Sequence, residues 1–272
     1  MHLVRFLAAC LGALALVACQ SPWPGGTGGA GRLQKILEGR ELRVGLTASQ
    51  PPLNMRNRSG EIIGLEVDVV NTLADSMGLE PRFIVKPFAE LLPALEAGEV
   101  DMVISGMTIT PERNARVAFV GPYFVSGKSL LTKDEKLSKL EKIEALDDPA
   151  RTYAALAGST SESFVREMAP RATLVTTADY AAAVAMVMDG SVDAMVADFP
   201  ACMVPMLRNP DAGLSTLVTP FTLEPLGIAL PSGDPLLVNL VTNYVATLER
   251  TGLLTRYKAR WFSEGTWLSE LP

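Results

Sequence analysis

Histidine and cysteine are nearly absent from this 272-residue sequence, which contains one His and three Cys. His2 and Cys10 lie in the first 18 residues, interpreted below as a cleaved signal, so the mature chain has no histidine. This excludes mechanisms that need imidazole as a general base or metal ligand. Cys202 is the only thiol expected to remain free, and its apolar neighbours predict a core residue. We therefore expect no intramolecular disulfide, catalytic residue, metal or cofactor.

An excess of positive charge is also lacking. The chain has 24 Lys and Arg against 30 Asp and Glu, a net charge of −6 and a pI near 5.0. No run of basic residues is longer than two. Because nucleic-acid binding normally requires a basic face, we expect no nucleic-acid partner.

The N-terminus has the pattern of a secretory signal. Arg5 precedes an apolar stretch over residues 6–17, which is shorter than the roughly 20 residues needed to span a bilayer. The sequence LVAC, ending at Cys19, resembles a bacterial lipobox. We predict that residues 1–18 are a lipoprotein signal peptide and that Cys19 carries a lipid, which places the protein in the periplasm or at the cell surface. The alternative is a plain signal peptide with an incidental Cys.

Residues 19–39 are predicted to be a lipid-anchored linker, because SPWPGGTGGAG at residues 21–31 is rich in Pro and Gly. Glycines in this stretch match the spacing G-x-G-x-x-G of dinucleotide-binding turns. No strand precedes them, so a nucleotide cofactor is not expected. Membrane contact is expected through the lipid alone.

Beyond residue 40, strand and helix patterns alternate. Residues 42–46, 83–85 and 100–104 have the apolar runs of buried strands, and apolar residues at helical spacing lie between them. Such alternation is typical of a parallel sheet with helices on both faces.

One segment of the chain occurs twice. GEVDMVIS at residues 98–105 is matched by GSVDAMVA at residues 190–197, and each copy combines a helix end, a Gly, an acidic strand start and a buried strand. The repeat predicts two Rossmann-like α/β lobes joined by a two-strand hinge. We predict lobe 1 over residues 40–126 and 225–272, lobe 2 over residues 127–224, and hinge crossings near residues 126–133 and 221–227.

Arg113 follows the first copy of this segment. Thr110 and Pro111 predict a helix N-cap and first helical residue, which puts Arg113 at the third helical position. A guanidinium there, beside the small residues at the strand end, can bind a carboxylate through two parallel hydrogen bonds. The alternative is a surface Arg paired with Glu112 or another acid.

In open α/β sheets, ligands bind beyond the carboxyl ends of the strands. Arg113 and the N–H groups of Ser159 and Thr160, at a predicted helix start, favour a carboxylate. An ammonium is favoured by the Asp198 carboxylate, the Gly106 carbonyl and the Thr108 hydroxyl. A zwitterion bound by Arg113 of one lobe and Asp198 of the other would draw the lobes together.

Residues 40–264 resemble the bacterial extracytoplasmic solute-binding proteins of the polar amino-acid family, family 3. These are the receptors of ABC importers and have the type II periplasmic binding protein fold. The motifs that carry the resemblance are LRVG (residues 42–45) with Pro51-Pro52, GLEVD (64–68), GMTITPER (106–113), FVGPY (119–123), GSTSE (158–162), the segment from Val192 to Asp198, and GIALP (227–231).

The resemblance implies roles for individual residues. Arg113 is expected to bind the ligand α-carboxylate, helped by the turn at Ser159 and Thr160. Asp198 is expected to bind the α-ammonium together with Gly106 and Thr108. A position matching Phe88 carries an aromatic ring that packs on the ligand side chain. The expected partners are an amino acid and the permease subunits of an ABC transporter, with the receptor itself a monomer.

Two positions depart from the family pattern. Gln50 stands where many members have a Tyr or Phe, and Thr47 stands where several have an acidic residue. This wall of the pocket is therefore less aromatic and less anionic. A neutral polar, aliphatic or acidic amino acid is favoured over a strongly cationic one.

Two other functions stay open at this point. Some proteins of this fold resemble cyclohexadienyl dehydratases, which eliminate water and carbon dioxide from prephenate or arogenate, and Asp198 or Glu224 could serve as the acid. Asp198 favours a substrate with an ammonium, as arogenate has. A sensor subunit that acts through a separate signalling partner is the third interpretation.

Overall fold

The computed structural model describes residues 31–272, which contain two five-stranded sheets, a small three-stranded sheet and surrounding helices. The strands are β1 (Glu41–Leu46), β2 (Ser49–Gln50), β3 (Asn54–Arg56), β4 (Ile62–Ile63), β5 (Glu80–Val85), β6 (Met102–Val103), β7 (Ala118–Ser126), β8 (Lys128–Thr132), β9 (Thr152–Leu156), β10 (Thr173–Thr177), β11 (Ala194–Asp198), β12 (Ser215–Thr216) and β13 (Glu224–Leu230). The α-helices are α1 (Arg32–Gly39), α2 (Leu65–Met77), α3 (Leu91–Glu96), α4 (Pro111–Asn114), α5 (Glu135–Ser138), α6 (Thr160–Met168), α7 (Tyr180–Asp189), α8 (Phe199–Arg208), α9 (Pro235–Arg250) and α10 (Leu253–Phe262). Short 3₁₀ turns cover Phe88–Glu90, Ile143–Leu146, Pro210–Ala212 and Thr266–Glu270. The predicted signal and the Cys19 lipid site lie outside the described residues.

The first lobe is built on the sheet β5-β1-β6-β13-β7. Strands β5, β1 and β6 are parallel, whereas β13 runs antiparallel to both β6 and β7. The prediction of an all-parallel sheet is therefore wrong for β7 and β13. A parallel neighbour requires a crossover connection, and these two strands instead lead directly to and from the other lobe.

The second lobe is built on the sheet β10-β9-β11-β8-β12. Its strands β10, β9 and β11 are parallel, and β8 is antiparallel to β11 and β12. Only Gly127 separates β7 of the first sheet from β8 of the second. The chain returns between β12 and β13. Two α/β lobes are thus confirmed, while the predicted hinge at these crossings stays a prediction.

The repeated segment has the same geometry in both lobes. Gly98 and Gly190 end their helices with φ of +74° and +80°, a conformation that glycine adopts without a steric penalty. The N–H of Asp101 donates to Arg43 O and that of Asp193 donates to Thr152 O, both at 2.8 Å. Each aspartate also accepts a hydrogen bond from the N–H of the residue that supplies this carbonyl. The sequence repeat therefore marks a structural repeat.

The predicted linker extends too far. Residues 32–39 form helix α1, and Ile36 is buried in the core of the first lobe. Asp234 accepts hydrogen bonds from the N–H groups of Leu33 at 2.8 Å and Leu237 at 3.0 Å, so one carboxylate supports the starts of α1 and α9. This contact between distant parts of the chain fixes α1 to the lobe, which a local Gly and Pro pattern cannot indicate.

Helix α10 is fixed to the first lobe by aromatic side chains. Trp261 is buried in the core of that lobe, and its indole N–H donates to Asp68 at 2.7 Å. The ring of Phe262 stacks on Phe124 with centroids 4.6 Å apart. Within residues 31–272, no helix combines the length and apolar character needed to cross a bilayer.

Candidate functional site

Arg113 lies at the third position of the short helix α4, as predicted. The Thr110 hydroxyl caps the helix by accepting a hydrogen bond from the Arg113 N–H at 3.2 Å, and Pro111 occupies the first helical position. The missing N–H of proline costs nothing at that position. The Arg113 side chain points back past the helix start, where it reaches the Thr108 carbonyl.

The Arg113 guanidinium bonds to both lobes. Nη1 donates to the Thr108 carbonyl in the first lobe, and Nη2 donates to the Gly158 carbonyl in the second, both at 3.0 Å. Its Cζ lies 5.6 Å from the centre of the Phe88 ring. Within residues 31–272 Arg113 forms no ion pair, so the alternative of a surface pair with Glu112 is wrong. Both acceptors are uncharged, which leaves the positive charge available to an anion.

Burial lowers the pKa of Arg113, and the carboxylates of Glu112, Glu224 and Asp198 act in the opposite direction. Because Arg has an unperturbed pKa above 12, the group keeps its charge at neutral pH.

Helix α6 begins beside Arg113. Ser159 is its N-cap and accepts a hydrogen bond from the Glu162 N–H at 3.2 Å. The Ser159 N–H is already used, since it donates to Leu156 O at 3.2 Å, so Thr160 is left as the N–H donor of the predicted pair. The Thr160 hydroxyl lies 3.3 Å from that of Thr108, which joins the two lobes.

Asp198 ends strand β11 and is only 9% exposed. Its carboxylate accepts a hydrogen bond from the ammonium of Lys128, a residue that the sequence interpretation missed. The same ammonium lies 3.4 Å from Glu224 Oε2, and Glu224 in turn accepts from Thr160 at 3.3 Å and Thr222 at 2.9 Å. Burial raises the pKa of Asp198, and Lys128 opposes this. The sequence offered only a weak signal for Lys128, which is one of two lysines in the predicted crossing at residues 126–133.

Gln50, Thr47 and Gly106 meet at the hydroxyl of Ser105. Ser105 Oγ lies 3.5 Å from Gln50 Nε2 and accepts a hydrogen bond from the Thr47 N–H at 3.1 Å. Gly106 has φ of +58°, and a Cβ there would lie 2.4 Å from Gln50 Oε1. Glycine is therefore needed both for the conformation and for the closeness of Gln50.

A buried carboxylate, that of Glu66, stabilises the turn at Gly106. Glu66 accepts hydrogen bonds from the Gly106 N–H at 2.7 Å, from Asn54 Nδ2 at 2.5 Å and from the Tyr123 hydroxyl. Burial raises the pKa of Glu66, while these three donors oppose the rise. Sequence analysis placed Glu66 in a motif but gave it no role.

A cavity of about 780 Å³ lies between the lobes. Four predicted residues line it: Phe88, Arg113, Ser159 and Thr160. The other five predicted residues do not line it: Thr47, Gln50, Gly106, Thr108 and Asp198. Tyr180, which the sequence placed on the apolar face of a helix, packs against an apolar cluster of each lobe, and the Asp198 charge acts on its hydroxyl.

A second cavity, of about 810 Å³, lies at the crossings between α8 and α10 and has mainly apolar walls. None of the predicted site residues lines it. The described part of the chain contains no cluster of three or more possible metal-ligating side chains. Cys202 is fully buried in the core of the second lobe and burial raises its pKa, which agrees with the predicted structural role.

Comparison with known proteins gives consistent results. Residues 42–264 match the family model of bacterial extracellular solute-binding proteins, family 3. A cyclohexadienyl dehydratase of Pseudomonas aeruginosa is 27% identical over 96% of this chain and 94% of its own length. An ABC transporter glutamine-binding protein of Bacillus subtilis is 29% identical over 85% of each chain. A binding component of an ABC transporter from Wolinella succinogenes, solved in complex with lysine, is 34% identical, with a TM-score of 0.80 over 84% of this chain and 98% of its own.

Proposed function

The chain belongs to the bacterial extracellular solute-binding proteins, family 3, and we propose that it binds a polar or neutral L-amino acid between its lobes and delivers it to an ABC importer. The observation that carries this proposal is the Arg113 guanidinium, which lines the cavity and contacts an uncharged carbonyl group in each lobe. The guanidinium bonds only to carbonyl groups of the two lobes, so it can still bind a carboxylate. Asp198 accepts one hydrogen bond within residues 31–272, so its carboxylate can still bind an ammonium.

The remaining predicted residues complete this proposed site. Thr108 and Thr160 join the lobes beside Arg113, and the Phe88 ring lies next to its guanidinium. Gln50, Thr47 and Gly106 would form the wall that faces the ligand side chain. The first lobe would comprise residues 40–126 and 225–272, and the second lobe residues 127–224. The lobes would close by a hinge motion at the two crossings, near residues 126–133 and 221–227.

The cellular setting is part of the proposal. The family is extracellular, which agrees with a secretory signal over residues 1–18. We infer that Cys19 carries a lipid and that a monomeric receptor, tethered by the following residues, meets the permease subunits of its transporter at the membrane.

A thermal-shift screen over the twenty amino acids tests the proposal. A ligand at 100 times its Kd should raise the free energy of unfolding by about 2.7 kcal/mol. Arg113→Ala should abolish the shift while the Tm of the free protein stays within about 4 °C of the wild type, because the side chain makes few stabilising contacts. Arg82→Ala is the matched control, since Arg82 pairs with Glu41 on the surface and does not line the cavity. A retained shift in Arg113→Ala would refute the site assignment.

A second candidate function is that of a dehydratase. It is favoured by the near full-length similarity to a cyclohexadienyl dehydratase and by the raised pKa of the buried Asp198. A protonated carboxyl group there could protonate the departing hydroxyl of arogenate as carbon dioxide leaves, giving phenylalanine and water. Incubating the mature protein with arogenate and measuring phenylalanine separates the two functions. We propose that no product forms and that the protein is not an enzyme.

A further inference from the structure

We propose that Lys128 selects ligands by their net charge. It favours amino acids whose side chains carry no positive charge. The inference rests on the proposed function, since it concerns the same cleft. Lys128 is 1% exposed, and its ammonium contacts the carboxylates of both Asp198 and Glu224. An internal cation thus already occupies part of the surface that binds a ligand ammonium.

The position of Lys128 follows from strand pairing. In the antiparallel pair β8 and β11, Lys128 lies directly opposite Asp198. Side chains of directly opposed residues project from the same face of a sheet, so the two charges meet. The Lys128 ammonium also reaches Glu224, the first residue of β13. The lysine ammonium is therefore held at the two carboxylates.

The charges of the site balance without a ligand. Arg113 and Lys128 supply two positive charges, and Asp198 and Glu224 supply two negative ones. The Lys128 ammonium contacts both carboxylates, and the charges of these carboxylates also act on Arg113 by opposing the lowering of its pKa. A zwitterion with a neutral side chain adds no net charge. A cationic amino acid adds one positive charge without a counter-charge, and an uncompensated charge in a buried site is costly.

Removal of the lysine charge should reverse this preference. In Lys128→Met the site would hold one positive and two negative charges, which is the balance that suits a ligand of charge +1. Methionine keeps the length and apolar stem of lysine, so packing is largely preserved. Lys133→Met is the matched control, because Lys133 lies just after the same strand and its ammonium donates to the Met188 carbonyl away from the site.

The experiment is calorimetric titration of the wild type, Lys128→Met, Lys128→Gln and Lys133→Met with arginine, lysine, glutamine and the best ligand of the thermal-shift screen. We expect the wild type to bind arginine and lysine at least tenfold more weakly than that ligand. Lys128→Met and Lys128→Gln should shift the affinity ratio toward the cationic amino acids by at least tenfold, and Lys133→Met should leave it unchanged. A residue with only a structural role would not move this ratio.

Two results would overturn the inference and leave the proposed function intact. One is that the wild type binds arginine or lysine as tightly as it binds any neutral amino acid. This result would contradict the role of Lys128 even if both Lys128 variants fail to fold. The other is an unchanged affinity ratio in a folded Lys128 variant. Failure of the folded wild type to bind any of the twenty amino acids would instead refute the proposed function.

Discussion

Each lobe has a buried carboxylate where the repeated strand ends, and the two differ in their partners. In the first lobe, Glu66 accepts three hydrogen bonds from neutral donors: Gly106, Asn54 and Tyr123. In the second, Asp198 accepts one hydrogen bond, from the charged Lys128. Glu66 is completely buried, whereas Asp198 keeps 9% of its surface exposed.

The difference fits a structural role for Glu66 and the proposed ligand-binding role for Asp198. A carboxylate has room for about four hydrogen bonds, so Glu66 is nearly saturated and holds the turn at Gly106 in place. Asp198 has acceptor positions left, and it lies beside the cleft. The repeat aligns Asp198 with Gly106, and in the first lobe the carboxylate at this place comes from Glu66 of helix α2.

The largest effect is expected from removal of the Glu66 carboxylate. Glu66→Ala leaves the Gly106 N–H, the Asn54 amide and the Tyr123 hydroxyl without their buried acceptor, and each such group costs about 1–3 kcal/mol. We expect the free energy of unfolding to fall by about 3 kcal/mol or more in urea denaturation. Glu249→Ala, which changes an exposed acid on helix α9, should have an effect of under about 0.5 kcal/mol. A loss equal to that of the control would show that Glu66 does not support the turn.

A weaker effect, on affinity, is expected when the same chemical change is made in both lobes. Asp198→Asn removes the charge that binds the ligand ammonium, and we expect a roughly 100-fold loss of affinity, equivalent to about 2.7 kcal/mol. Glu66→Gln is the counterpart and should keep the affinity within about threefold, since Glu66 contacts the turn and not the cleft. Calorimetric titration with the ligand from the thermal-shift screen measures both. Equal losses in the two variants would remove the distinction between the carboxylates.

Local sequence patterns were sufficient for much of the fold. The Thr110 cap, the Gly98 and Gly190 helix ends and the strand repeat each depend on residues close together in the chain, so spacing reveals them. The repeat also led to Asp198, and the cap led to Arg113. The antiparallel direction of β7 and β13 was missed because strand pairing depends on how the chain passes between lobes.

The missed residues have partners far away in the sequence. Lys128 meets Asp198 over a separation of 70 positions, and Glu66 meets Tyr123 over 57. Helix α1 depends on Asp234, which lies 201 positions beyond Leu33. No pattern within a single element identifies such contacts, since they arise only when strands and helices from distant parts of the chain pack together.

The smallest effect should appear in the pH dependence of the free energy of unfolding, to which the buried Glu66 contributes. Burial raises the pKa of Glu66 above its usual value of 4.5, so the folded protein holds this proton more tightly than the unfolded chain. Between pH 4.5 and the raised pKa, unfolding releases a proton, and the contribution of Glu66 to stability falls as the pH rises. Glu66→Gln binds no proton in either state and lacks this dependence.

The free energy of unfolding of Glu66→Gln relative to wild type should therefore increase as the pH is raised above about 4.5 and then level off, as measured by urea unfolding between about pH 4 and 8. A difference that stays flat or decreases with pH would mean that Glu66 is ionised in the folded protein at little cost, because its three neutral donors offset its burial.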